Sequence, residues 1–276
     1  MWSHNIPDPS GIAYDPVSNR ILISDSEVDE LPIYNNEDLF AFNLSPAGLD
    51  AAPDMTYDLP FTPEATGLAI DGNLNRMYIT DDDAASVFVV DPSDPTTLLW
   101  SLNVENLGSD DTEDVAVDPA TGNLFIINGF SQSIQELSLD HVGQTGTLVN
   151  TLVLSDPEIR DPEAIAYDPV HNVFLVGGGF SADIWIVDRN GDTLAKIDLL
   201  EGYRNDHVPG GSGTIRTNVK DIELAPASDG SGATHIYVAD FGNSHVLDGR
   251  LIEIDPGDIF GGIATQGVQV DDTLFL

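Results

Sequence analysis

Glu163-Ala164-Ile165-Ala166-Tyr167-Asp168-Pro169 is followed, after a short polar stretch, by Val173-Phe174-Leu175-Val176-Gly177. No helical spacing of apolar residues appears here. Two short runs rich in β-branched and aromatic residues flank an Asp-Pro turn, which reads as strand, turn and strand. The first run recurs as Gly11-Ile12-Ala13-Tyr14-Asp15, Gly67-Leu68-Ala69-Ile70-Asp71, Asp114-Val115-Ala116-Val117-Asp118 and Asp221-Ile222-Glu223-Leu224-Ala225. Counted at the second residue, the intervals are 56, 47, 50 and 57.

The register continues beyond the first run. Asp15 to Asp25, Asp71 to Asp81, Asp118 to Asn128 and Asp168 to Gly178 are each ten residues apart. Ser228-Asp229-Gly230-Ser231-Gly232 stretches the fifth copy to fifteen, from Ala225 to Asp240. A third apolar run follows each time (39–42, 87–90, 134–139, 184–187, 251–254), and then a weaker fourth (55–59, 98–102, 148–154, 194–199). Four antiparallel strands repeated about every 50 residues predict an all-β fold, a β-propeller of four-stranded antiparallel blades. Five copies make it five-bladed, a single domain over 1–276 with blades starting near 10, 65, 112, 162 and 219. The ring is expected to close through a terminal strand. Either Trp2-Ser3-His4-Asn5-Ile6, which parallels Trp100-Ser101-Leu102-Asn103, or the tail 268–276 takes the outer place of the last blade.

A chain of 276 residues, 41% of them hydrophobic, can bury a large core. Its 47 Asp+Glu stand against 9 Lys+Arg, a formal charge of −38; there are 35 Asp, 12 Glu, 7 Arg and 2 Lys. Such charge repels nucleic acid and anionic membranes, so neither is expected as a partner. No apolar run reaches the roughly 20 residues of a membrane helix. The absence of Cys excludes disulfides, thiolate metal sites and cysteine nucleophiles. Met1-Trp2-Ser3-His4 leads straight into Pro and Asp and is not expected to open a signal peptide. Two readings of the acidity stay open: a halophilic surface hydrated in brine, or calcium held in acidic loops. The expected location is secreted or on the cell surface, the alternative being the cytoplasm of a salt-accumulating organism.

Glu163-Ala164-Ile165-Ala166-Tyr167-Asp168 and Ile236-Tyr237-Val238-Ala239-Asp240-Phe241-Gly242-Asn243 resemble phrases of the NHL-repeat, gluconolactonase-like and phytase-like propellers. The resemblance covers nearly the whole chain and is one of fold. Members commonly have six blades, and five are found here.

In a propeller of this connectivity the loops from second to third strand share a face, the upper face, with the loops entering the innermost strand. Glu113, Asp114, Glu163, Asp221, Asp25, Asp81, Asn128 and Asp240 are therefore expected at the mouth of the central channel. Carboxylates crowded in one funnel raise each other's pKa unless a cation neutralises them. Oxygen ligands suit Ca²⁺, or Mg²⁺ with retained waters. The resemblance implies the same, since gluconolactonase-like proteins hold a divalent ion there with Glu, Asn and Asp. Turn formation is the competing task of a strand-end Asp. A turn has no need of Glu, which singles out Glu113 and Glu163. Asp81-Asp82-Asp83 reads as a solvated loop tip.

The insertion 200–218 is longer than filler usually is and carries Tyr203, Arg204, His207 and Arg216. Arg160, Arg204, Arg216 and Lys220, four of the nine basic residues, fall in upper-face connections. They would bind an anionic ligand group or pair with surrounding Asp, and Tyr203 would stack on a sugar. His207 is the candidate general base. No Gly-x-Ser-x-Gly turn occurs, and no helix follows Gly177-Gly178-Gly179 to make a phosphate cradle. The expected function is an extracellular Ca²⁺-binding recognition or scaffold module. Its partner would be a small-molecule or carbohydrate ligand on the upper face, or another protein domain. The alternative is a divalent-metal-dependent hydrolase of lactones or esters, with His207 or an acidic residue as base. A phytase would want more Lys and Arg than this face offers.

Overall fold

The computed structural model describes residues 6, 8–26, 37–179, 181–199, 217–242, 249–257, 259–260 and 270–275. Blade one contains β1 (Pro9–Asp15), β2 (Arg20–Asp25) and β3 (Leu39–Ser45), with β4 (Gly48–Leu49) and β5 (Met55–Tyr57) both pairing along β3. Blade two is β6 (Leu68–Asp71), β7 (Arg76–Asp81), β8 (Ser86–Asp91) and β9 (Asp94–Asn103). Blade three is β10 (Thr112–Val117), β11 (Leu124–Asn128), β12 (Ser133–Asp140) and β13 (Thr145–Val153). Blade four is β14 (Ala164–Asp168), β15 (Val173–Gly177), β16 (Asp183–Val187) and β17 (Thr193–Asp198). Blade five is β18 (Val219–Pro226), β19 (Thr234–Asp240), β20 (Arg250–Ile254) and β21 (Val270–Phe275). The sheets are antiparallel, and each is one contiguous stretch of chain.

The five-bladed propeller read from the repeat is the observed fold. The tail supplies the outer strand of the last blade: β21 pairs with β20 from Arg250↔Phe275 to Ile254↔Val270. Trp2-Ser3-His4-Asn5 lies outside the described residues.

The turns explain much of the Asp excess. After each of the first four inner strands the closing aspartate accepts the N–H two residues on. The pairs are Val17 to Asp15 (2.9 Å), Asn73 to Asp71 (2.8 Å), Ala120 to Asp118 (2.9 Å) and Val170 to Asp168 (2.8 Å). This is Asx-turn chemistry, which Glu, one methylene longer, fits poorly. Four residues after each of these aspartates comes a left-handed residue: Asn19, Asn75, Gly122 and Asn172.

Five hydrophobic clusters fill the five junctions between blades. The junction that closes the ring joins Ile12, Ile21, Phe40 and Phe42 of blade one to Ala225, Tyr237, Ala239 and Leu251 of blade five, with Ile6 packed among them. Closure therefore rests on the same apolar packing as every other junction.

Near the axis the packing leaves no room at Gly67. A Cβ there would lie 2.6 Å from Cα of Asp114 and 2.7 Å from Oγ1 of Thr80. Gly67→Ala is expected to cost roughly 2–3 kcal/mol by overpacking, measured as a lower urea midpoint with an unchanged slope.

Candidate functional site

The innermost strand of a blade has a sheet partner on one side only, so its other edge turns N–H groups toward the axis. Two aspartates receive them. Asp221 Oδ1 accepts the N–H of Ile222 (2.5 Å), and its Oδ2 accepts those of Ile12 (2.6 Å) and Leu68 (3.2 Å). Asp114 Oδ1 accepts the N–H of Val115 (2.6 Å), and its Oδ2 that of Ile165 (2.7 Å). Asp114 and Asp221 also hydrogen-bond to each other. Those five N–H groups belong to the five aligned second residues of the repeat, one per blade. Both carboxyls are held well above the ordinary carboxylate range, first by burial and, for Asp221, also by the neighbouring Asp114. A shared proton relieves that repulsion. Asp114 and Asp221, expected at the mouth as metal ligands, have their oxygens engaged by these N–H groups and by each other. Their oxygens cross-link the ring and close the channel at the axis.

Above this pair, Glu113, Glu163 and Lys220 come together. The Lys220 ammonium pairs with Glu163 and lies 5.6 Å from the centre of the Phe241 ring. Burial pushes Glu113 up to about 8; Lys220 opposes this, while Glu163, Asp82 and Asp111 reinforce it. Burial pulls Lys220 down, yet Glu163, Glu113 and Asp82 outweigh it and hold its pKa above the usual range. Lys220 thus places a cation of the chain's own among these carboxylates.

The strand-end residues cap loops. Asp81 accepts from Thr62 Oγ1 (2.6 Å) and Ala84 N–H (2.8 Å). Asn128 accepts Ser131 N–H (2.8 Å) and donates to Asp110 (3.0 Å). Asp240 accepts Asn218 N–H (2.8 Å) and pairs with Arg250 at 2.5 Å. Asp25 lies 3.5 Å from the N–H of Asp8. Arg160 is exposed and turns its Nε to Pro157 O in its own loop, 3.4 Å away. Tyr203, Arg204, His207 and Arg216 lie outside the described residues.

Among the described residues, the three carboxylates that do converge are Glu64, Asp82 and Asp83, whose oxygens lie within 4.8 Å of one another. Glu64 and Asp82 are half-buried and Asp83 is exposed. Such a triad can hold a metal ion. Asp82 and Asp83 follow the strand-end Asp81, and Glu64 precedes the inner strand, so both loops belong to the upper face. That placement was the available signal; reading 81–83 as a bare loop tip missed it. Further round the rim, Asp111 and Asp161 crowd Gly129, where a Cβ would meet their oxygens at 2.6 and 2.9 Å.

No family model and no curated protein matches the sequence. Among solved structures, the glutaminyl cyclase of Myxococcus xanthus is similar at 17% identity with a TM-score of 0.61, covering 98% of this chain and 95% of that one. A nidogen/laminin complex contains a chain similar at 14% identity and a TM-score of 0.53, covering 98% and 81%. At these identities the likeness establishes architecture alone. The chain is a five-bladed β-propeller.

Proposed function

We propose that the protein is a Ca²⁺-binding recognition module whose upper face carries the ion on Glu64, Asp82 and Asp83. The single observation behind this reading is the convergence of their three carboxylates. Hard oxygen ligands suit Ca²⁺, which takes six to eight of them in flexible geometry. Three side chains supply only part of that shell. The rest is open to water or to a ligand's own oxygens, which suits a carbohydrate or an acidic surface of another protein. The channel closed by Asp114 and Asp221 supports a surface site over a deep catalytic one, and the nidogen likeness offers a propeller solved in complex with another protein. The −38 charge favours a secreted or cell-surface protein over one that meets nucleic acid.

Adding Ca²⁺ to EDTA-stripped protein at a hundred times its dissociation constant is expected to stabilise the fold by roughly 2.7 kcal/mol, read as a rise in Tm. Asp82→Asn with Asp83→Asn should abolish that rise. A rise with NaCl alone, or one unchanged in the double variant, would remove the site.

A second reading is a divalent-metal-dependent hydrolase of lactones or esters. The observation favouring it is Glu113, which burial keeps largely protonated at neutral pH beside Lys220. A carboxyl poised there can give or take a proton near the operating pH. Loss of lactone or ester turnover in Glu113→Gln, with Ca²⁺ affinity unchanged, would favour this reading over the first.

A further inference from the structure

The axis carries a second layer of inward N–H groups. Along a strand these groups alternate sides, so the edge that faces the axis at Ile12, Leu68, Val115, Ile165 and Ile222 faces it again two residues on. The second layer is Tyr14, Ile70, Val117, Tyr167 and Leu224. In the first layer two carboxyls serve five N–H groups. In the second, the residues between the layers are Ala13, Ala69, Ala116 and Ala166 in four blades, and only blade five carries an acid, Glu223. Its Oε2 accepts Tyr14 N–H (3.2 Å) and its Oε1 Leu224 N–H (2.7 Å).

Those bonds serve blades one and five. The N–H groups of Ile70, Val117 and Tyr167 face a cavity of about 420 Å³ lined by the inner strands of all five blades. It lies on the lower-face side of the Asp114–Asp221 pair, and Pro16, Gly72, Asn73 and Pro119 of the inner-strand turns stand around it. Among the described lining residues Glu223 alone bears a carboxyl, and no Lys, Arg or His is present. The two phenols are engaged outward, Tyr14 with Asn19 (2.7 Å) and Tyr167 with Asn172 (2.8 Å).

We propose that this lower-face cavity binds a small aliphatic carboxylic acid, its carboxylate taking the N–H groups of Ile70, Val117 and Tyr167 and sharing a proton with Glu223. The template is one layer above, where Asp114 stands to Asp221 as the ligand's carboxylate would stand to Glu223. A bare anion beside a charged Glu223 would be repelled; one retained proton turns the repulsion into a hydrogen bond. Burial, countered by the two N–H groups, already pushes Glu223 up to about 7. Of the charged groups around it, Asp114 from β10 feels its charge and Asp221 lies two residues before it on its own strand; the phenols of Tyr14 and Tyr167 are turned away, and the lining residues of β6 include no titratable side chain. Leu68, Val115, Ile165 and Ile222 are among the residues lining the space, and the volume lies within the usual range of small-molecule sites. The site is separated from the upper-face carboxylates by the axial pair and does not depend on a metal there.

The test is methyl NMR of the full chain titrated with sodium 3-methylbutanoate, against n-butylammonium chloride and NaCl at matched ionic strength. Saturable shifts should map to Leu68, Ile70, Val117, Ile165 and Leu224 with the carboxylate and not with the ammonium. Because one proton is retained, affinity should be about tenfold weaker near pH 8 than near pH 6. Glu223→Gln, whose amide stands in for the protonated acid, should still bind and lose most of that pH dependence. Should this variant fail to fold, the wild-type titration decides. No saturable shift near pH 6, shifts mapping elsewhere, binding that tightens as pH rises, or preference for the ammonium would each overturn the proposal.

Discussion

Asp221→Ala is expected to lower stability by roughly 4 kcal/mol, the largest effect of any single carboxylate among the described residues. The substitution strands the N–H groups of Ile12, Leu68 and Ile222 at the axis, and each buried donor left without an acceptor costs about 1–3 kcal/mol. It also leaves Asp114 buried without its proton-sharing partner. For a chain of this size the drop is on the order of 10 °C in Tm. Asp221→Asn keeps one acceptor oxygen and should cost about half as much. Asp140, by contrast, caps an exposed turn through Val142 and Gly143, and Asp140→Ala should cost far less. Equal losses at 140 and 221 in urea denaturation would show that the axial hydrogen bonds do not hold the ring.

Stability is also expected to rise as the solution is made mildly acidic. Glu113 and Glu223 titrate in the folded protein at about 8 and about 7, above their ordinary value of 4.5. Between those limits the folded state holds protons that the unfolded state has released. Their stabilisation is thus complete below the ordinary carboxylate range and is lost as pH rises toward the folded values. One such proton corresponds to about 1.4 kcal/mol per pH unit. Two carboxyls over two pH units would give about 5 kcal/mol, which solvent reaching both reduces to roughly 3 kcal/mol between about pH 5 and 7. Asp114 and Asp221 act in the same direction. On the acid side, Asp91, Asp140, Asp188 and Asp229 are held low by turn hydrogen bonds, so their contribution disappears below about pH 4. The Tm profile at fixed salt should peak between these limits. Glu113→Gln should flatten it toward pH 8, and Glu223→Gln near pH 7. A profile that climbs steadily from pH 5 to 8 would contradict the burial of these carboxyls.

The architecture was legible because each blade is local. Strand, turn and strand lie within one repeat, and the ten-residue register from Asp15 to Asp25 or Asp71 to Asp81 survives in the linear sequence. The grouping of Glu113, Glu163 and Lys220 was legible for the same reason, since all three are aligned at the start of inner strands. The role of Asp114 and Asp221 was not, because a repeat alignment places residues on a face without saying whether they look outward to the mouth or inward to the neighbouring backbone. Gly11 and Gly67, aligned with them, carried the clue. Where two blades have no side chain at all, the axis is too narrow for five, and an acid that does fit there must meet backbone. Glu64 escaped because its partners, Asp82 and Asp83, come from a loop whose conformation the repeat does not specify.

The axial pair also acts as a gauge of blade number. Two short side chains reach N–H groups from every inner strand only while those strands crowd a common centre. Inserting a sixth copy of the repeat would widen the circle and pull opposite strands beyond the span of two aspartates, leaving backbone donors to water in an open bore. A lineage that duplicates or deletes a blade must therefore rewrite positions 114 and 221 at the same time, so these two residues tie the copy number of the repeat to the chemistry of its centre.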